Sequence, residues 1–104
     1  MRAGALSKRV TILKLNGEPE NWETGEGWDE VATVWASIEP LRGKDFYLAY
    51  QAQAAVTHKV TIRYMAGIDA SMVVKFNNRR LDVLHLINPE EKNISLELMC
   101  QERL

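Results

Sequence analysis

The sequence predicts a mainly β protein: a small antiparallel six-stranded β-barrel or sandwich, with one short α-helix inserted between strands 2 and 3. Three observations predict it. Apolar residues recur at every second position through most of the chain, the period of a half-buried strand. Turn-forming pairs, Ala66-Gly67 and Asn77-Asn78 among them, separate these short runs. Helical spacing replaces the alternation in one stretch only, Gly43 to about Ala54. Closure into a barrel would remove the exposed edges that such strands otherwise leave.

At 104 residues the chain has the length of one domain, taken as 1–104. A core this thin gains useful stability from self-association. The net charge of -1 gives no global basic footprint for duplex DNA. The one cysteine, Cys100, has no internal partner for a disulfide and suits a reducing compartment. No apolar run approaches the roughly 20 residues that span a bilayer. Ser7, Lys8, Arg9, Thr11 and Lys14 interrupt the apolar residues near the N-terminus. No signal peptide is therefore expected, and a cytoplasm is the expected compartment.

Leu6–Leu15 reads as the first strand, with Leu6, Val10 and Ile12 on one face. Asn16–Glu30 breaks the pattern. It carries Glu18, Glu20, Glu23, Glu26, Asp29 and Glu30 with no basic residue, four residues (Gly17, Pro19, Gly25, Gly27) that discourage regular structure, and two tryptophans, Trp22 and Trp28. Loops this long in compact folds tend to be functional or disordered. One reading is a solvated hairpin loop with Trp28 folded back on the core. The other is an acidic arm that orders against a partner, with Trp22 as its anchor.

Val31–Pro40 is the second strand, with Val34, Ala36 and Ile38 on one face and Trp35 on the other, in need of cover from the following helix. Pro40 ends it for want of an amide donor. In the helix, Phe46, Ala49, Tyr50 and Gln53 follow the helical spacing, and Asp45 suits the first turn. Such a stripe reads as core packing. Thr57–Met65 is the third strand, with His58, Val60, Ile62 and Tyr64 inward. Met72–Phe76 follows, then the Asn77-Asn78 turn, since Asn tolerates the positive φ of a tight hairpin. Arg80–Ile87 places Leu81, Val83, His85 and Ile87 on one face. After a polar turn at Asn88–Asn93, Ile94–Gln101 is the last strand, with Ile94, Leu96, Leu98 and Cys100 inward.

Catalytic chemistry finds little support. His58, His85 and Cys100 are the only soft ligands, none at zinc-site spacing and all on expected inward faces. A Cys–His nucleophile pair would need an open pocket and an orienting group, and the sequence offers neither. Gly25 and Gly27 sit among acids that repel phosphate. Lys59, Arg63, Arg79 and Arg80 form a basic patch if the third strand lies beside the Asn77-Asn78 hairpin. The plain reading of these four is solvated charge on the outer face. A second is single-strand nucleic-acid contact on an OB-like barrel, which wants exposed aromatics among the charges; Tyr64 and Phe76 are expected inward instead. A third sets this basic patch on one side of the subunit and the acidic loop on another, which favours head-to-tail contacts that close into rings.

The ordered set of elements resembles the phage head–tail joining proteins, the head-completion or stopper subunits of long-tailed bacteriophages. The resemblance rests on Met1-Arg2-Ala3-Gly4 with Arg9-Val10-Thr11-Ile12, on Trp28 before its strand, and on Trp35-Ala36-Ser37-Ile38-Glu39-Pro40-Leu41 with Gly43. It continues through Val56 to Tyr64, Gly67-Ile68, Met72 and Asn88, and the closing Leu96-Glu97-Leu98 with Cys100 and Glu102. Two places depart from it: Arg42-Gly43-Lys44-Asp45 at the helix start, and Asn77-Asn78 where a glycine is common. The resemblance implies a barrel with a helix packed on it, assembled as a ring beneath the portal or its adaptor. That ring would hold the packaged DNA without reading it and present a docking face to the tail terminator or tail-completion protein. It implies a virion structural protein, made in the host cytoplasm, with no enzymatic activity, cofactor or membrane. The residues expected to meet partners or neighbouring copies are Trp22, Glu23, Glu26 and Trp28 of the acidic loop, and Lys59, Arg63, Arg79 and Arg80.

Overall fold

The second strand is long enough to serve two neighbours, and this is what lets the sheet close. In the computed structural model, which describes residues 6–17, 21–22, 24–41 and 56–103, β2 runs Trp28–Pro40. Its first part pairs with β1 (Lys8–Leu15) and its last part, from Ala36, with β3 (His58–Arg63). β4 (Met72–Phe76), β5 (Arg79–Ile87) and β6 (Ser95–Arg103) complete a closed barrel in the order β1-β2-β3-β6-β5-β4. Every pairing is antiparallel. The fold is thus mainly β with six strands, as the alternation predicts. Among the described residues the one helical element is a 3-10 turn at Pro89–Glu91. The helix expected over Gly43–Ala54 lies outside the described residues.

Inward positions alternate as expected on most strands. Val10 and Ile12, Val60 and Ile62, Leu81 and Val83, and Leu98 and Cys100 are buried, with Val74 and Ala36 between them. Val34, Ile38 and Phe76 pack against this core from partly buried positions. Asn77 and Asn78 turn the β4–β5 hairpin at φ 49° and 68°, the left-handed region that a two-residue hairpin requires and asparagine tolerates.

Two bulges change what alternation alone predicts. Ile12 faces Ala32 and Leu13 faces Glu30, so Val31 is an extra residue in β2. The strand begins three residues before the expected Val31 because Leu15 pairs back to Trp28. In β5, Val83 faces Cys100 and His85 faces Met99, so Leu84 is extra. The inserted residue reverses the faces beyond it. His85 and Ile87, expected inward, are exposed, and Leu86 packs against the core instead. Tyr64 and Ile94, also expected inward, lie just past the ends of their strands and are exposed. The Tyr64 amide donates to the Ile94 carbonyl at 3.0 Å, which holds the two segments together at one end of the barrel.

Candidate interaction surface

The acidic segment is a folded hairpin wherever it is described. Asn21 and Glu26 form an isolated bridge, and the Asn16 amide donates to the Gly27 carbonyl at 2.9 Å. Gly25 and Gly27, both at φ 82°, make the tight return that a side chain would strain. Glu26, Asp29 and Glu30 remain exposed. Glu23 lies outside the described residues.

This hairpin folds over the outer face of the barrel. Trp22 packs edge-on against Trp28, with ring centroids 5.6 Å apart. Its indole N–H donates to the Asn78 carbonyl at 3.2 Å, which ties the loop to the β4–β5 turn. Lys75 stands 5.5 Å from the Trp22 ring centroid, and the Arg80 guanidinium lies 5.6 Å from Trp22 and 4.9 Å from Trp28. Trp28 is buried, as one reading of the loop required. Trp22 is half-buried against its own subunit, so it is not a free anchor on an extended arm.

The four expected basic residues do not form one patch. β6 lies between β3 and β5, so Lys59 and Arg63 are not beside the hairpin. Lys59 faces Glu97 at 3.9 Å, Arg79 holds Glu102 with two bonds of 2.8 and 3.1 Å, and Arg80 bonds Asp82 at 2.8 Å. Arg63 is exposed. Nor do the loop and the basic residues sit on different sides, since Arg80 joins Trp22 and Trp28 in one cluster.

Beside that cluster the outer faces of β1 and β4 bound a cleft of about 450 Å³. It is lined by Arg9, Thr11 and Leu13 of β1, Lys75 of β4, Trp28 and Glu30 of β2, Gly25 of the acidic hairpin, and the Asn77-Asn78 turn. The Trp28 indole nitrogen is buried with no hydrogen-bond acceptor among the described residues. Arg9 continues outward onto Trp35, 5.1 Å from its ring centroid, and Trp35 is 52% exposed. This guanidinium covers part of Trp35; the helix expected to cover it lies outside the described residues. Arg9, Lys75 and Trp35 were not singled out by sequence reasoning as site residues. Only the register of β1 against β4, Thr11 to Lys75, brings the two cations to one groove.

The His58 cluster lies across β6 from the hairpin. Arg79 donates to His58 Nε2 at 3.3 Å, so Nδ1 carries the proton and donates to Thr57 Oγ1 at 2.8 Å. Burial lowers the His58 pKa, opposed by Glu102 and helped by Arg79. The hydrogen bond from Arg79 lowers that of Glu102. Cys100 faces His58 across the β3–β6 ladder, yet burial pushes its thiol up to about 12, with Asp82 adding to the rise. A thiol so disposed is inert at neutral pH. Among the described residues no group of three potential ligands could hold a metal.

The described residues thus form a closed antiparallel barrel with polar and aromatic groups gathered on its outer faces and turns. The chain belongs to the phage head completion protein family, whose sequence pattern matches residues 1–103. It is accordingly a structural protein of the phage head and virion. The solution structure of protein SF1141 from Shigella flexneri 2a is similar to it, with 26% identity, a TM-score of 0.69, and coverage of 98% of this chain and 96% of that one. No curated protein matches the chain. No helix among the described residues is long and apolar enough to cross a membrane.

Proposed function

We propose that residues 1–104 act as one joining domain, whose copies form a ring at the head–tail connector. The ring closes the DNA-filled head and offers the tail its docking surface. Its partners are further copies of itself, the portal or adaptor protein on the head side, and a tail terminator or tail-completion protein on the other. Packaged DNA lies near without sequence recognition, and assembly takes place in the host cytoplasm. The role contains no catalytic step. The observation that carries this reading is the family match over residues 1–103. The pairing of Lys59, Arg79 and Arg80 with carboxylates agrees with it, since cations neutralised in this way leave little footprint for nucleic acid.

Electron microscopy of a lysate from phage lacking this gene tests the reading. Unjoined heads and tails, with heads emptied of DNA, are the expected result. Normal joined particles would remove the role.

A further inference from the structure

Resting on the ring reading, we propose that the cleft over the outer faces of β1 and β4 is the socket for the acidic Pro89–Lys92 turn of a neighbouring copy. The cleft has the chemistry of a carboxylate site. Arg9 and Lys75 line it, and among the described residues neither pairs with a carboxylate; their contacts are to the rings of Trp35 and Trp22. Glu30 is the one carboxylate in the lining, so Arg9 and Lys75 leave it an excess of positive charge. Trp28, 8% exposed, also lines the cleft.

The turn has the complementary chemistry. Glu90 and Glu91 lie at its tip, at φ 56° and 55°, and Asn93 follows at 57°. Both glutamates sit in the left-handed region, which is costly for a residue with a side chain. Asn88 fixes the base: its side-chain amide donates to Asn93 Oδ1 at 2.8 Å, and its Oδ1 accepts the Asn93 amide at 3.2 Å. The carboxylates are thus presented on a pre-formed loop, which limits the ordering cost of docking. Lys92 neutralises Glu90 at 2.8 Å, whereas Glu91 has no ion pair among the described residues. The shoulders are apolar and open: Ile87 is 44% exposed and Ile94 58%. Exposed Trp35 lies next to Arg9 at the socket and supplies an apolar counterpart.

Position completes the argument. The Asn77-Asn78 turn lining the socket precedes β5, and the acidic turn follows the other end of that strand. Two complementary but different surfaces at opposite ends of one subunit make a head-to-tail contact, the kind that closes into rings.

Sedimentation velocity on the full chain, from micromolar to millimolar, tests this. The wild-type chain self-associates, and less so as salt rises. Lys75→Glu and Glu91→Lys each weaken association at least about tenfold. The two single variants, mixed, recover association as alternating copies, because Lys75 meets Glu91 at one junction and the reversed pair meets at the next. Both changes in one chain restore association. Since Glu91 is on an exposed turn, its variant remains informative should Lys75→Glu disturb the Trp22 cluster. Wild-type monomer throughout, single variants that associate normally, or a double variant that does not recover each overturn the contact. So does tight binding of a single-stranded oligonucleotide that Lys75→Glu abolishes. None of these results touches the connector reading, which the phage lysate decides separately.

Discussion

Asn78, at φ 68°, shows how one residue type can be tied to one backbone conformation. Replacing it with glycine keeps the carbonyl that Trp22 uses and removes the Cβ from the left-handed region, so Asn78→Gly leaves stability unchanged or raises it by up to about 1 kcal/mol in urea denaturation. Asn78→Val lowers it by more than about 1 kcal/mol by the same reasoning. Leu98 is fully buried between β3 and β5, and Leu98→Ala removes about 2–5 kcal/mol. His58 sets a pH dependence. Burial holds its folded pKa below the ordinary 6.5, so the folded state binds fewer protons there than the unfolded one. Stability is therefore full above that value and falls as pH drops from 6.5 toward the folded pKa; His58→Gln flattens this window in thermal melts against pH. Glu102 is depressed as well, so its contribution is full above 4.5 and is lost as acid takes pH down through its folded pKa. These residue-scale features were only partly legible in the sequence. The Asn77-Asn78 turn was, since its chemistry is local; the setting of His58 was not, because its partners arrive from β5 and β6.

Elements were legible where period two ran undisturbed, as in β3 and β4, and misread where a bulge intervened. The extra Leu84 turns His85 and Ile87 outward, and nothing in the order of residues along β5 announces it. The bulge is fixed by the partner strand, which must bring both Val83 and Leu86 to the core. The acidic loop is legible as a hairpin with Trp28 folded back, one of its two readings, but the contact that holds it to the barrel is not. Its glycines and acids predict an irregular segment, but the indole–carbonyl bond that folds it back spans 56 residues. Trp22→Ala removes that bond, the edge-on ring contact and two cation contacts, together about 1–2 kcal/mol after allowance for exposure. Hydrogen exchange at the Gly25 and Trp28 amides then quickens, while the β3 and β6 amides keep their protection. Equal loss across the barrel would show that the hairpin is part of the core rather than a cover for its outer face.

At the scale of the whole molecule, closure joins segments far apart in the chain: β1 with β4, and β3 with β6. Such pairings require loop closure before they yield any contact, which slows folding. Stopped-flow refolding is expected in the millisecond-to-second range typical of non-local β topologies, and microsecond refolding would contradict the closed order of strands. The architecture was legible as a class, six short strands with one interruption, because alternation and turns suffice for that. Strand order was not, and with it went the socket, since Arg9 and Lys75 become neighbours only through the β1–β4 seam. The same seam decides how copies can meet. Every one of the six strands already has a partner on each side. Among the described residues no strand is a sheet edge along its whole length, so a second copy finds little backbone ladder to extend in the way fibrils do. A barrel closed in this way leaves side chains and turns as its main contact surface.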